Sequence, residues 1–167
     1  MTEHLFFIAC QKEHVEIVKI LLNDQRVDPN KANYYGETPF YVACEKGYIE
    51  IVKLLLNVEK VDINKADRNG TTPLHLVCKI GYIEIMEYIL THEKVDLKAT
   101  NNRRKMAIET ARIIKEEEKY CENEEGDQKR KTKWAKIVEL LELFERYPNE
   151  TRTKLRMKFG FAGKIFS

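Results

Sequence analysis

Two segments of the chain, GETPFYVACEKGYIEIVKLLLN from Gly36 and GTTPLHLVCKIGYIEIMEYILT from Gly70, match in register at a separation of 34 residues. One step back by the same 34 residues gives TEHLFFIACQKEHVEIVKILLN from Thr2, which has lost the glycine and the Thr-Pro pair. One step forward lands on Arg104, where RKMAIETARIIK keeps the outline, with Ala107 at the position of Pro73 and Ile108 at that of Leu74. Self-similarity at this period restricts the chain to a stack of small supersecondary units, each burying its apolar face against its neighbours.

Each unit contains two short stretches of helical period. In the second unit these are Thr38 to Lys46, with Phe40, Val42, Ala43 and Cys44 apolar, and Tyr48 to Asn57, with Ile49, Ile51, Val52, Leu54, Leu55 and Leu56. Neither reaches the ~12 residues at which an isolated helix becomes marginal in water, so packing must stabilise both. Thr38-Pro39 and Thr72-Pro73 read as helix starts, Thr capping and Pro in the first turn. Gly47 and Gly81 fall between the two helices of their units, where a positive φ is expected. Leu21, Leu55 and Ile89 share one repeat position and are expected in the core.

The residues of the two central units resemble the ankyrin repeat family. Thr72, Pro73, Leu74 and His75 match its T-P-L-H-x-A motif, with Val77 at the position of the Ala. The second unit keeps that Ala as Ala43 but has Phe40 and Tyr41 in place of Leu-His. Gly-Tyr-Ile-Glu-Ile-Val at 47–52 is similar to the family's second-helix segment, and the extra residue of the period is placed in the connection Asn57 to Ala66. The resemblance covers residues 2 to about 115. It implies an all-α, ankyrin-repeat α-solenoid of three repeats plus a divergent fourth helical pair and a C-terminal capping helix. The expected divisions are a repeat domain at 1–147, with units at about 2–35, 36–69, 70–103 and 104–147, and a capping helix with tail at 148–167.

Cys10, Cys44 and Cys78 lie at 34-residue steps and so occupy one repeat position. Successive helix pairs are displaced by ~10 Å, beyond the ~7 Å between Cα atoms that a disulfide tolerates. They read as buried small hydrophobes. Cys121 is off register and is expected to be exposed and oxidisable.

After Lys115 the repeat breaks. A polar insertion at 115–133, KEEEKYCENEEGDQKRKTK, precedes WAKIVELLELFERY, whose Ile137 matches Ile51 by its surroundings. This is read as a fourth unit split by an insertion of about 18 residues, or alternatively as a non-repeat hairpin of 105–120 and 134–146. Pro148 should stop the preceding helix and Asn149 cap a new one. Leu155 and Phe159 fall on one face of that new helix, and Gly160 suits its end. A solenoid needs an atypical terminal unit, and this segment is expected to be one, docked on the 134–146 helix. The alternative is a basic amphipathic anchor, with Arg152, Lys154, Arg156 and Lys158 beside Phe161, Ile165 and Phe166.

Composition narrows function. Apolar residues are 43% and charged residues 34% of 167, too apolar for disorder and too charged for a membrane protein. The N-terminus lacks a basic n-region, so a soluble, cytoplasmic chain is expected, with the nucleus as an alternative through Lys129–Lys133. Net charge is −3 over residues 1–98 and +5 over 99–167. No phosphate-binding glycine motif, zinc-binding H-E-x-x-H or paired C-x-x-C occurs. His4, His14, His75 and His92 lack ligand spacing, and no enzyme activity, cofactor, metal or small-molecule substrate is expected. His75 and His14 are read as structural, His75 in turn hydrogen bonding.

The remaining function is binding. The resemblance implies a non-enzymatic protein–protein interaction module that uses the concave face, formed by turn tips and first helices. Its tip positions are Tyr34, Tyr35 and Glu37, then Arg68, Asn69 and Thr71, then Asn102, Arg103 and Lys105. The first-helix positions are Gln11 and Lys12, Glu45 and Lys46, and Lys79 and Ile80. Adjacent tyrosines beside arginines have the composition of a protein hot spot. The partner expected is another protein bound by a monomer. The alternative is an anionic surface, membrane or nucleic acid, met by the basic segments 129–136 and 152–164.

Overall fold

The computed structural model of the chain describes residues 2–117 and 127–161, the side chains of 127–131 excepted. Cys121, Ile165 and Phe166, and the side chains of Lys129, Arg130 and Lys131, lie outside the described residues. Among these residues the chain forms nine helices and no strand. Four hairpin pairs follow one another: α1 (Thr2–Gln11) with α2 (Val15–Leu22), α3 (Pro39–Lys46) with α4 (Ile49–Leu56), α5 (Pro73–Ile80) with α6 (Ile83–Thr91), and α7 (Ala107–Glu117) with α8 (Asp127–Arg146). A last helix, α9 (Pro148–Lys158), closes the described fold. First helices pack in one row, α1 on α3 on α5 on α7, and second helices form a row behind, α2 on α4 on α6. The fold is the all-α repeat stack anticipated: three regular pairs, a divergent fourth and a terminal helix.

The core follows the repeat register. Phe6, Phe40 and Leu74 are buried at one step, Val18, Val52 and Met86 at another, and Leu21, Leu55 and Ile89 at a third. Cys10, Cys44 and Cys78 are buried free thiols. Burial pushes the Cys10 thiol up to about 12 and the other two higher still. All three are therefore uncharged packing groups at neutral pH.

Local chemistry sets the helix boundaries. Thr38 Oγ1 accepts from the Tyr41 amide at 3.1 Å, and Thr72 Oγ1 from the His75 amide at 3.4 Å, satisfying donors that a helix start leaves free. Pro follows each cap in the first turn. Gly47 ends α3 in the left-handed region at φ 76°, and in the first unit Glu13 adopts the same conformation at φ 62° without being glycine.

One repeat position, occupied by Tyr41, His75 and Glu109, also ties backbone and units together. The His75 Nε2 stands 2.8 Å from the Lys105 carbonyl of the next unit. A carbonyl only accepts, so Nε2 carries the proton, and Nδ1 accepts from Thr72. Tyr41 instead donates its hydroxyl to the Asp67 carboxylate at the following tip at 3.2 Å. Glu109 reaches back to accept the Met106 amide at 2.7 Å, a cap within its own unit.

The fourth pair departs from the others. Its second helix has 20 residues, against eight or nine in α2, α4 and α6. Trp134, Ile137, Val138, Leu141 and Phe144 are buried along it. Trp134 Nε1 donates to the Cys78 carbonyl at 3.2 Å, and the Lys133 ammonium to the Ile80 carbonyl at 2.8 Å. Both carbonyls belong to the last turn of α5, where a helix has unpaired acceptors and a partial negative charge.

The expectation that Asn149 caps the last helix is corrected. Tyr147 occupies the cap position and Pro148 the first turn, since a proline there has a fitting φ and no amide bond to lose. Docking is also broader than anticipated: α9 packs on both α8 and α6. Phe159 stacks on Tyr88 at 3.9 Å between ring centroids, and Phe161 meets the same ring edge-on. Arg156 donates to the Thr91 carbonyl at 3.1 Å and pairs with Glu93, while Lys158 pairs with the buried Glu87. α9 therefore covers a face of α6 that includes Tyr88, Glu87 and Thr91.

Three outcomes follow from this packing. Leu55→Ala should cost about 2–5 kcal/mol in urea unfolding, because Leu55 is fully buried between units. A value near the ~0.5 kcal/mol of a surface change would contradict that placement. Burial lowers the pKa of His75, against opposing contributions from the Lys105 carbonyl and Asp67. A folded value below the unfolded one, ~6.5, gives stability that is present above ~6.5 and lost as pH falls below it. His92 is lowered too, so the check is a comparison: the acid-side loss of stability should be shallower in His75→Gln than in the parent, and an equal slope would assign it to other groups. Removing residues 148–167 should lower the melting temperature and promote association, by baring Tyr88, Phe144 and Glu87. A truncated chain with unchanged melting that stays monomeric would show that α9 is no cap.

Candidate functional surface

The tips of the stack are built by one device used three times. Asn33, Asp67 and Asn101 stand at 34-residue steps, and each side-chain Oδ1 accepts two backbone amides across its turn. Those amides belong to Tyr35 and Glu37, Asn69 and Thr71, and Arg103 and Lys105. A backbone bond closes each turn, from Asn33, Asp67 and Asn101 to the carbonyls of Glu37, Thr71 and Lys105, each at 3.0 Å. Asn and Asp are suited to this because their short acceptors reach the amide two residues on.

The tips are then laced to one another. The Arg68 amide donates to the Tyr35 carbonyl at 3.0 Å, and the Asn102 amide to the Asn69 carbonyl at 2.9 Å. Asn102 Nδ2 adds a bond to the Arg68 carbonyl at 3.1 Å. The approach is close enough to require glycine. A Cβ on Gly36 would stand 2.9 Å from the Arg68 nitrogen, and one on Gly70 3.0 Å from the Asn102 nitrogen. Arg104 holds the corresponding left-handed φ of 55° at the last of these tips.

Every site residue anticipated from the sequence lies at the surface. Tyr34 and Tyr35 are 75% and 65% exposed, among the largest exposures of the big apolar side chains. Lys46, Arg68, Asn69, Lys79, Asn102, Arg103 and Lys105 are exposed, and Glu37, Glu45, Thr71 and Ile80 half-buried. Gln11 is half-buried and Lys12 exposed. The fold brings the first group together: the Arg68 guanidinium lies over the Tyr34 ring at 3.9 Å, and Tyr34 meets Tyr35 edge-on at 5.6 Å. Two of the anticipated residues also hold the scaffold, Glu37 by accepting from Asn33 Nδ2 at 2.7 Å and Asn102 by its tie to Arg68. Glu45 pairs with Lys46 at 3.4 Å.

Other residues of this surface went unnoticed in the sequence, although the period could have found them. Arg104 is an exposed tip residue. Ile113 and Ile114 continue the first-helix positions of Lys79 and Ile80 into α7, and Ile113 is 44% exposed. Asn30 and Asn64, again one period apart, bridge successive connections. Asn30 binds the Lys60 carbonyl and the Asp62 amide, and Asn64 the Lys94 carbonyl and the Asp96 amide.

Among the described residues no group of three or more His, Cys, Asp or Glu side chains is placed to hold a metal ion, and no helix is long and apolar enough to cross a membrane. The groups brought together on the tips are aromatic rings and cations, suited to contact rather than bond-making.

Comparison with known proteins agrees with the geometry. A family model described as ankyrin repeats, three copies, matches residues 3–67, and one described as ankyrin repeats, many copies, matches residues 58–111. No curated protein matches the chain. The two matches overlap and run from α1 into α7, through the capped helix starts and the tips between them: the chain belongs to the ankyrin repeat family.

Proposed function

We propose that the protein is a non-enzymatic protein-binding module, and that its partner lies along the tips and first helices of the stack. Ankyrin repeats generally mediate protein–protein interaction. The observation that carries the placement is the Tyr34–Tyr35–Arg68 cluster. Tyrosine and arginine are enriched where binding energy concentrates, and large rigid side chains lose little entropy on contact. The cluster stands on turns held by side-chain and backbone bonds, so its geometry is set before the partner arrives.

The anionic-surface alternative has less support, because cations it needs are engaged within the fold. Arg156 and Lys158 bind Glu93 and Glu87, and Lys133 binds the Ile80 carbonyl. Among α9's four basic residues, Lys154, which is exposed, and Arg152, which lies over the Phe144 ring, have no such tie.

The test is affinity capture with the full chain, with the Tyr34→Ala, Tyr35→Ala double variant alongside. A protein retained by the parent and by Tyr147→Ala, an exposed change at the start of α9, should be lost from the double variant. Loss of about 2 kcal/mol or more in binding free energy, some thirtyfold in Kd, is the hot-spot expectation. Retention by the double variant at unchanged affinity would move the interface off the tips.

A further inference from the structure

We propose that the partner presents an acidic, extended peptide segment, laid across the tips with carboxylates on Arg68, Arg103, Arg104 and Lys105 and an apolar side chain against Tyr34 and Tyr35. The proposal rests on the tip-face reading above and adds the chemistry of what is bound.

Charge is the first ground. Arg68, Arg103, Arg104 and Lys105 are exposed on adjacent tips, and among the described residues none forms an ion pair with a carboxylate. The nearby acids have other duties. Asp67 accepts from two tip amides and from the Tyr41 hydroxyl, and Glu37 from the Asn33 amide. Elsewhere cations meet carboxylates within the chain, as in Lys19–Glu16, Lys53–Glu50, Arg112–Glu142 and Arg156–Glu93. The tip cations are thus a row of like charge with no carboxylate paired to it among the described residues. Such a row is relieved by an anionic partner, and guanidinium groups take carboxylates through paired hydrogen bonds.

Order along the stack is the second ground. The aromatic pair stands at the Asn33 tip, one arginine at the Asp67 tip and three cations at the Asn101 tip. Packed helices are ~8–10 Å apart, so each unit advances the row by about that distance. An extended chain covers ~3.3 Å per residue, so one unit corresponds to roughly three residues. The matching peptide has an aromatic or aliphatic residue at one end, a carboxylate about three residues on, and two or more carboxylates about three residues further.

The same ordering favours a peptide over nucleic acid. The positive stretch is short and ends in an aromatic pair whose own turn carries Glu37, and residues 1–98 carry a net charge of −3. A long polyanion following the stack would run onto its acidic half, whereas a short segment with one apolar end would not.

The experiment is selection of random 12-residue peptides displayed on phage against the full chain, with the Arg68→Glu, Arg103→Glu, Lys105→Glu variant run in parallel. These side chains make none of the hydrogen bonds that hold the tips, Arg68 only stacking on Tyr34, and an unchanged melting temperature verifies the variant's fold. The expected result is enrichment of Asp and Glu at spacings of about three residues with one apolar anchor. Selected peptides should lose binding to the charge-reversed variant by tenfold or more, and weaken with salt. Peptides that ignore charge reversal but are lost with Tyr34→Ala, Tyr35→Ala would overturn the acidic chemistry and leave the tip-face reading standing. Peptides indifferent to both sets of substitutions would overturn both. No enrichment, or tighter binding of a 20-nucleotide single-stranded DNA or RNA probe lost on charge reversal, would overturn the peptide proposal.

Discussion

Burial between neighbouring units is the interaction on which everything else depends. The helices of the first three units have eight to ten residues, too few to persist alone in water. Each exists because the unit before or after it covers its apolar face, so the helices are a consequence of the stack rather than its building material. The ends show what happens when cover is missing. Ile51 and Ile85 are almost wholly buried, yet Ile17 at the same repeat position is 39% exposed, and Ile20 is 68% exposed where Tyr88 at the other end is covered by Phe159. One sequence pattern gives different burial according to whether a neighbour stands on that side.

Polar ties set the register that apolar contacts leave loose. Leu and Ile faces slide easily over one another, but the His75–Lys105, Tyr41–Asp67 and Asn30–Asp62 bonds fix how far along each unit its neighbour sits. Their individual net contributions are ~1 kcal/mol. Their importance lies in being directional and in repeating, so that a shift of one unit would break several at once and leave buried polar groups without partners.

Much of this was legible from the period alone. The 34-residue step located the helix pairs, the Thr-Pro starts, the inter-helix glycines and the buried cysteines, because each occupies a position that must do the same job in every unit. What escaped has two causes. Chemically different residues share a position: Tyr41, His75 and Glu109 look unlike, yet all hydrogen-bond at the base of a tip. The C-terminal packing was only half readable for another reason. That Leu155 and Phe159 would pack somewhere was evident from their spacing, but α6 as a surface for them depends on where the long α8 leaves room, and no local pattern encodes that. The site positions were reached by analogy with the family's tips. Their clustering into a stacked Tyr–Tyr–Arg group depends on Arg68 of one unit reaching Tyr34 of the unit before, a contact across the repeat.

The same construction explains how such a scaffold can change its partner without changing its fold. At each tip the backbone is held by Asn33, Asp67 or Asn101 and by amide–carbonyl bonds to the next tip. Those bonds do not involve the side chains of residues 34, 35, 68 or 103. A side chain with no structural task, on a backbone with no freedom, can be replaced at little cost in stability, and whatever replaces it is presented in the same place. Tyr34, Arg68 and Asn102 illustrate the range, being aromatic, cationic and amide at one repeat position. Asn102 marks the limit of that freedom, since its amide has been drawn into the lacing. Recognition therefore resides in the positions that the stack leaves idle, and the stack leaves them idle because its stability is generated between helices and its register within the turns.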